Sequence, residues 1–419
     1  MSNASQVAAG RAFAKSWLPG TEPAAPSTPP GAPNALLSRS TVVEQELGAI
    51  EEELRLETGG RRDLLEERHG DLEREAAILV RLNKNKGYEA GAGGNATAKA
   101  PSRLDQLRQL KVIEAGTMAD IDSMTAFDAK HLNFDWDDAA TLATALGDRK
   151  FVDLTYPPSE TPGVYGPTDA KKPHKLVYRR ATDVYDAPEV FDASIAPSDI
   201  RQGKLGDCWL MCALAACAEY PYLVEALFPD PFKRAQPSGL YRVRLCQGGL
   251  WRAVTVDDYV PCDQDGSPIF SRAAGSELWV LLIEKAMAKL AGNYMRLRGG
   301  LAFEGLADLT GLPTFRFKFS NVMLRPLVKS GALFDQLVFA DQNKCLACAS
   351  TPGEDRFTEG KGEQRAPASG LIPGHAYTLL AAREVGGHKL VRLRNPWGKF
   401  EWDGAWGDGD KSAAPRGGL

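Results

Sequence analysis

Asp199-Ile-Arg-Gln-Gly-Lys-Leu-Gly-Asp-Cys-Trp-Leu-Met-Cys-Ala-Leu-Ala-Ala-Cys217 has two halves of opposite character. Gln202 to Asp207 is polar with two glycines, which predicts a tight loop. Trp209 to Ala218 is ten apolar residues without a break. That run is too short for a membrane span, and its small residues suit a helix buried on all sides. Asp207 is the expected N-cap, and Cys208 falls where the loop becomes the helix. A helix N-terminus favours negative charge, so a thiol there ionises more readily, and the thiolate is the nucleophile. Gln202 lies across the glycine loop, from where its side-chain NH2 can turn back towards the sulfur. With the Cys208 backbone N–H it would bind the oxyanion formed when a thiolate attacks a carbonyl. Taken alone, the stretch is better read as a buried helix with three ordinary core cysteines, Cys208, Cys212 and Cys217. A second constellation far downstream changes that reading.

Composition narrows the class. The chain has 419 residues, 43% of them hydrophobic and 25% charged, which predicts a soluble globular protein of two or three domains. A net charge of −4 gives no argument for nucleic acid. Seven cysteines, all between residues 208 and 348, show no framework spacing. Such usage suits a reducing compartment, and the cytoplasm is the expected location. The N-terminus has no apolar run of a signal peptide, and Ser2 stands where myristoylation requires glycine.

In chain order, residues 1–37 are rich in Ala, Pro, Ser and Gly and are expected to be disordered. Residues 38–148 read as a helical extension interrupted by a flexible linker at 83–101. Within 40–82, Val43, Leu47, Ile50 and Leu54, then Leu65, Leu72 and Leu79, trace a short heptad seam. The seam is either a coiled-coil contact for a helical partner or a solvated amphipathic helix. Leu104, Leu107 and Leu110 share a further helical face. At Phe151 the texture becomes mixed. Tyr241-Arg-Val-Arg-Leu-Cys and Trp251-Arg-Ala-Val-Thr-Val read as a hairpin around Gly248-Gly249. Asp263 and Asp265 read as turn residues at Asp265-Gly266. Glu277 to Ala291 reads as a helix, and Phe334–Phe339 as helix or strand. Residues 352–370 form a polar insert expected to be a surface loop. Cys345 and Cys348 are a lone pair, which argues against zinc.

The second constellation follows. Gly374-His-Ala-Tyr-Thr-Leu-Leu opens a strand, and Lys389-Leu-Val-Arg-Leu-Arg-Asn-Pro-Trp-Gly is a second one ended by its proline. Antiparallel pairing would bring His375 beside Asn395. Cys, His and Asn in that chain order are one solution to acyl transfer: Cys208 as nucleophile, His375 as base and acid, Asn395 as orienter. Trp397 would cover the His–Asn hydrogen bond. His69, His131, His174 and His388 carry no such context, and His388 reads as a turn residue.

Gln202-Gly-Lys-Leu-Gly-Asp-Cys-Trp, Gly374-His-Ala-Tyr and Arg394-Asn-Pro-Trp-Gly resemble the three active-site motifs of the calpain family of cysteine proteases. Segments between them, such as Trp251-Arg-Ala-Val-Thr-Val-Asp-Asp-Tyr and Asp308-Leu-Thr-Gly, resemble the same family, over roughly residues 150–408. The resemblance implies an α+β, papain-like core of two subdomains: 149–311 with the cysteine on a central helix, and 312–419 with the histidine and asparagine on a sheet. It implies a cysteine endopeptidase of the calcium-dependent type acting on extended protein segments, with calcium as an activator and no cofactor required for the chemistry. Asp199 aligns with a first-site calcium ligand, and Glu401 and Asp408 with second-site ligands. Ala274 stands where calcium-dependent members carry a Glu. Conventional cores continue past Trp402, so part of the second sheet is expected to be missing. Both departures predict weak calcium binding. The competing reading is a non-catalytic calpain-like scaffold that binds partners through its N-terminal helices. All three triad residues are present, which favours the enzyme.

Overall fold

The computed structural model of the protein describes residues 115–130, 144–158, 164–165, 176–192, 194–353, 358, 370–399, 402, 404–408 and 410. The expected disorder at 1–37, the seam at 40–82, the linker at 83–101, Leu104, Leu107 and Leu110, Glu401 and most of the insert at 352–370 lie outside those residues.

Helix α1 is Ala115–Lys130, and strand β1 is Val177–Arg180. The central helix α2 runs Cys208–Ala218, and every one of its eleven residues is buried. The hairpin is β2 (Leu240–Gln247) with β3 (Leu250–Asp257), in register from Leu240↔Asp257 to Gln247↔Leu250. Gly248 and Gly249 have φ of 59° and 77°, the left-handed geometry that a tight hairpin turn requires. Strand β4 (Tyr259–Cys262) pairs antiparallel with β1. The Asp263–Gly266 turn is closed by side chains as expected, with Asp263 Oδ1 accepting from Asp265 N and Asp265 Oδ1 from Ser267 N.

Helix α3 is Trp279–Ala291, two residues shorter than its sequence pattern, because Glu277 is held in a parallel bridge with Glu189. Helix α4 (Ala302–Thr310) ends at Gly311 in the left-handed region. The ambiguous stretch at 334–339 resolves as helix α5, Ala332–Gln342. Strands β5 (Ala347–Ser350), β6 (Ala376–Val385) and β7 (His388–Arg394) make a three-stranded antiparallel sheet in the order β5-β6-β7. The described fold is therefore α+β, with helices around small antiparallel sheets.

The main core gathers α2, α3, the β2–β3 hairpin and α4, with Leu210, Leu214, Trp279, Leu282 and Ile283 all fully buried. Close helix packing explains two glycines. A Cβ on Gly305 would come within 2.9 Å of the Ala213 methyl, and one on Gly300 within 2.5 Å of the Trp209 ring. Charged residues also lie within the core. Asp257 is fully buried and accepts from Asp153 N, Tyr259 N and the Lys285 ammonium, while Lys289 binds Asp153. Buried charges persist when each is paired and hydrogen-bonded in this way.

A second, smaller cluster joins Ile121, Met124 and Phe127 of α1 to Phe151, Val152, Phe232, Leu240 and Tyr259. Asp120 on α1 accepts from the Arg180 guanidinium and from the Tyr259 hydroxyl. Helix α1 is thus packed into the same folded body as the strands that follow.

Candidate active site

Cys208 opens α2, as its sequence context predicts. It is 8% exposed and packs with Cys212 and Ala376, the residue after His375. The loop before it is fixed by close backbone approach. A Cβ on Gly203 would sit 1.9 Å from Phe270 O, so only glycine fits. Gln202 is buried; its Nε2 donates to Leu205 O at 2.7 Å, which orients the amide and leaves the second N–H of that nitrogen for another acceptor. Asp207 occupies the N-cap position, yet its side chain makes no capping bond.

His375 and Asn395 are brought together by the β6–β7 pairing, whose register sets Thr378 opposite Arg394. His375 Nε2 lies 2.9 Å from Asn395 Oδ1. That oxygen also accepts the Trp397 backbone N–H at 3.1 Å, and Asn395 Nδ2 donates to Lys399 O at 2.8 Å. A backbone N–H can only donate, so the atom facing Nε2 is the amide oxygen. Nε2 therefore carries the proton of a neutral imidazole, and Nδ1 is left as its basic nitrogen. The Trp397 ring lies 4.6 Å from the imidazole and the Tyr377 ring 5.1 Å, the latter edge-on. His375 is fully buried and Asn395 2% exposed, so bulk water does not compete for their hydrogen bond.

Hydrogen bonds among the described residues join the cysteine part to the histidine part. Thr378 Oγ1 donates to Cys212 O at 2.9 Å, Gln202 N to Pro396 O at 3.0 Å, and Arg394 Nη2 to Ile200 O at 2.6 Å. None of these was singled out from sequence. Arg394 adjoins the asparagine motif, but its partner is a backbone carbonyl, which leaves no trace in residue type.

All seven cysteines are free. Burial pushes the Cys212 and Cys217 thiols up, and Cys262 and Cys348 to about 12. These cysteines stay protonated at neutral pH.

Of the expected calcium ligands, Asp199 and Asp408 lie among the described residues and Glu401 does not. Asp199 turns Oδ2 to Ala196 N at 2.7 Å and Oδ1 to the Ser198 hydroxyl at 3.4 Å. Ala274 N donates to the Asp199 backbone carbonyl at 2.8 Å, and its methyl side chain offers no ligand oxygen. Asp408 is exposed, and no group of three or more His, Cys, Asp or Glu gathers as a metal site among the described residues.

A thiol at the buried start of a helix, with a histidine–asparagine pair on an adjoining antiparallel sheet, defines the thiol-protease class of site. The sequence pattern of the calpain family cysteine proteases matches residues 151–413, and the chain belongs to that family. It is similar to the calpain-type cysteine protease ADL1 of Oryza sativa subsp. japonica, 36% identical over 283 residues, which cover 65% of this chain and 13% of that protein. The calpain-type cysteine protease DEK1 of Zea mays is 36% identical over 275 residues, covering 63% of this chain and 12% of the relative. Calpain-14 of Homo sapiens is 32% identical over 264 residues, covering 62% of this chain and 36% of that protein. The chain thus spans about an eighth of the plant proteins and about a third of the human one.

Proposed function

We propose that the chain is a cysteine endopeptidase working through Cys208, His375 and Asn395, on a papain-like core of two subdomains. The observation that carries this reading is the His375–Asn395 bond, which sets the imidazole tautomer one residue from Ala376, itself packed on Cys208. His375 Nδ1 takes the Cys208 proton, and Sγ attacks the scissile carbonyl carbon. Gln202 Nε2 and the Cys208 N–H bind the resulting oxyanion. His375 then protonates the amine as the C–N bond breaks, leaving a thioester. Water, deprotonated by the same nitrogen, releases the acid and restores the thiol. Asn395 holds the ring through both protonation states, and Trp397 shields that bond. Substrates are protein segments bound in extended form.

Calcium, on this reading, is at most a weak activator, and the chemistry itself runs on side chains. Free cysteines support a reducing, cytoplasmic setting. The heptad seam at 40–82 is proposed as the contact for a helical partner.

The test is a thiol-directed peptidyl epoxide together with cleavage of an unfolded protein substrate. The epoxide should add to Cys208 near neutral pH, and Cys208→Ala should abolish both reactions with little loss of stability, since Ala suits a helix. Cleavage surviving in Cys208→Ala would overturn the proposal.

A further inference from the structure

Directly beside the nucleophile lies a pair of acidic side chains that the mechanism above does not use. Asp207 is fully buried, and among the described residues no N–H or hydroxyl of another residue donates to either of its carboxyl oxygens. An Asp at an N-cap ordinarily turns its carboxylate onto the free N–H groups of the first turn. This one does not. It meets instead the carboxyl of Glu284, 1% exposed, on α3. Two carboxyl groups in contact and out of water require a proton between them, because two adjacent buried anions repel strongly.

The surroundings decide which residue holds the proton. Ser271 N–H is shared between both Glu284 oxygens, at 3.1 and 3.2 Å, so Glu284 is built as the acceptor. A cavity of about 10 Å³, with room for one water, borders Glu284, Ser271, Lys285 and Tyr294 and offers its charge further solvation. Asp207 has only its own backbone N–H nearby, and no donor from another described residue. Other ionisable groups facing the pair are Cys208 beside Asp207, and Tyr156 and Tyr294 towards Glu284. Burial keeps both phenols neutral. The nearby Lys285 ammonium is committed to Asp257 and to Tyr259 O.

We propose that Asp207 and Glu284 share one proton, held on Asp207, and that this arrangement keeps negative charge off the amino end of the catalytic helix. Both are then positioning residues for the Cys208 thiolate. An ionised Asp207 would cap the helix and occupy the field that favours the thiolate. Parking the pair's charge on Glu284, against Ser271 N–H, leaves that field to the sulfur. Burial raises Asp207 well above the carboxylate range, with Glu284 the next cause, and brings Glu284 to about 7, in keeping with this assignment.

The inference rests on Cys208 being the nucleophile, and its test separates the two. In full-length protein carrying Cys345→Ser, which removes the exposed thiol, the pH dependence of Cys208 alkylation by iodoacetamide is read site by site by mass spectrometry. Asp207→Asn still donates to Glu284 and should leave the midpoint in place. Glu284→Gln donates to Asp207, moves the charge beside Cys208 and should raise the midpoint by about one to two pH units. The double variant, with no charge in the pair, should restore it. Equal midpoints in wild type and Glu284→Gln would overturn the proposal. A second readout covers the case in which Glu284→Gln does not fold. At neutral pH, infrared spectra of wild type should show a protonated-carboxyl band that Asp207→Asn lacks. Absence of that band would equally overturn it, even with Cys208 confirmed as the nucleophile.

Discussion

His375 Nε2 and Asn395 Oδ1 lie 2.9 Å apart although 20 residues separate them in the chain. The amide holds the imidazole but transfers no proton. Asn395→Ala should therefore lower kcat by about 5- to 150-fold, the cost of about 1–3 kcal/mol for an orphaned buried hydrogen-bond partner. His375→Ala removes the proposed base itself and should cost about 10²–10⁴-fold. Steady-state kinetics on the two variants checks the order. Equal, complete losses would instead mean that Asn395, through Lys399 O and Trp397 N, holds the sheet together.

Helix α1 precedes the family-matched region yet supplies Met124, 1% exposed, to a cluster with Phe151, Phe232 and Tyr259. Met124→Ala should destabilise the protein by about 2–5 kcal/mol. Denaturant unfolding should show a lower midpoint with an unchanged slope. A change under about 0.5 kcal/mol would mean that α1 is a loosely held arm.

Burial, with Glu304 nearby, pushes the Asp308 carboxyl up to about 7. A carboxyl whose folded-state value lies above its unfolded one binds more protons when folded, so stability falls as pH rises from about 4 to about 7. Asp308 is partly exposed, so the effect is discounted to about 1 kcal/mol at pH 8. Asp308→Asn should flatten the fall in Tm between about pH 4 and 8, measured by calorimetry. A slope identical to wild type would contradict the assignment.

Calcium should bind no tighter than about 10⁻⁴ M, the weak end of the range for protein sites. Asp199 already serves Ala196 N, and Ala274 replaces an anionic ligand implied by family resemblance. Titration calorimetry on Cys208→Ala protein should show no stoichiometric site of micromolar affinity. Finding one that Asp199→Ala removes would restore the first site.

Residue type and spacing alone marked the buried helix from Cys208, the hairpin at Gly248-Gly249 and the two strands bearing His375 and Asn395. Apolar periodicity, glycine turns and proline stops are local properties, so each of these is written in its own segment. Local signals also misplaced some features. Helix α3 begins at Trp279 rather than Glu277 because Glu277 is paired in a parallel bridge with the distant Glu189. Asp207 sits at the N-cap but does not cap, because Glu284 holds its carboxyl. Glu284 and Lys285 interrupt an apolar run and so could have been noticed, but their partners lie on other elements. The bonds from Thr378, Arg394 and Gln202 N end on backbone carbonyls, which every residue possesses. The sequence by itself determined which side chains the site contains. Tertiary structure decided which imidazole nitrogen is basic and what faces the residue before Cys208, because both depend on hydrogen bonds closed between segments far apart in the chain.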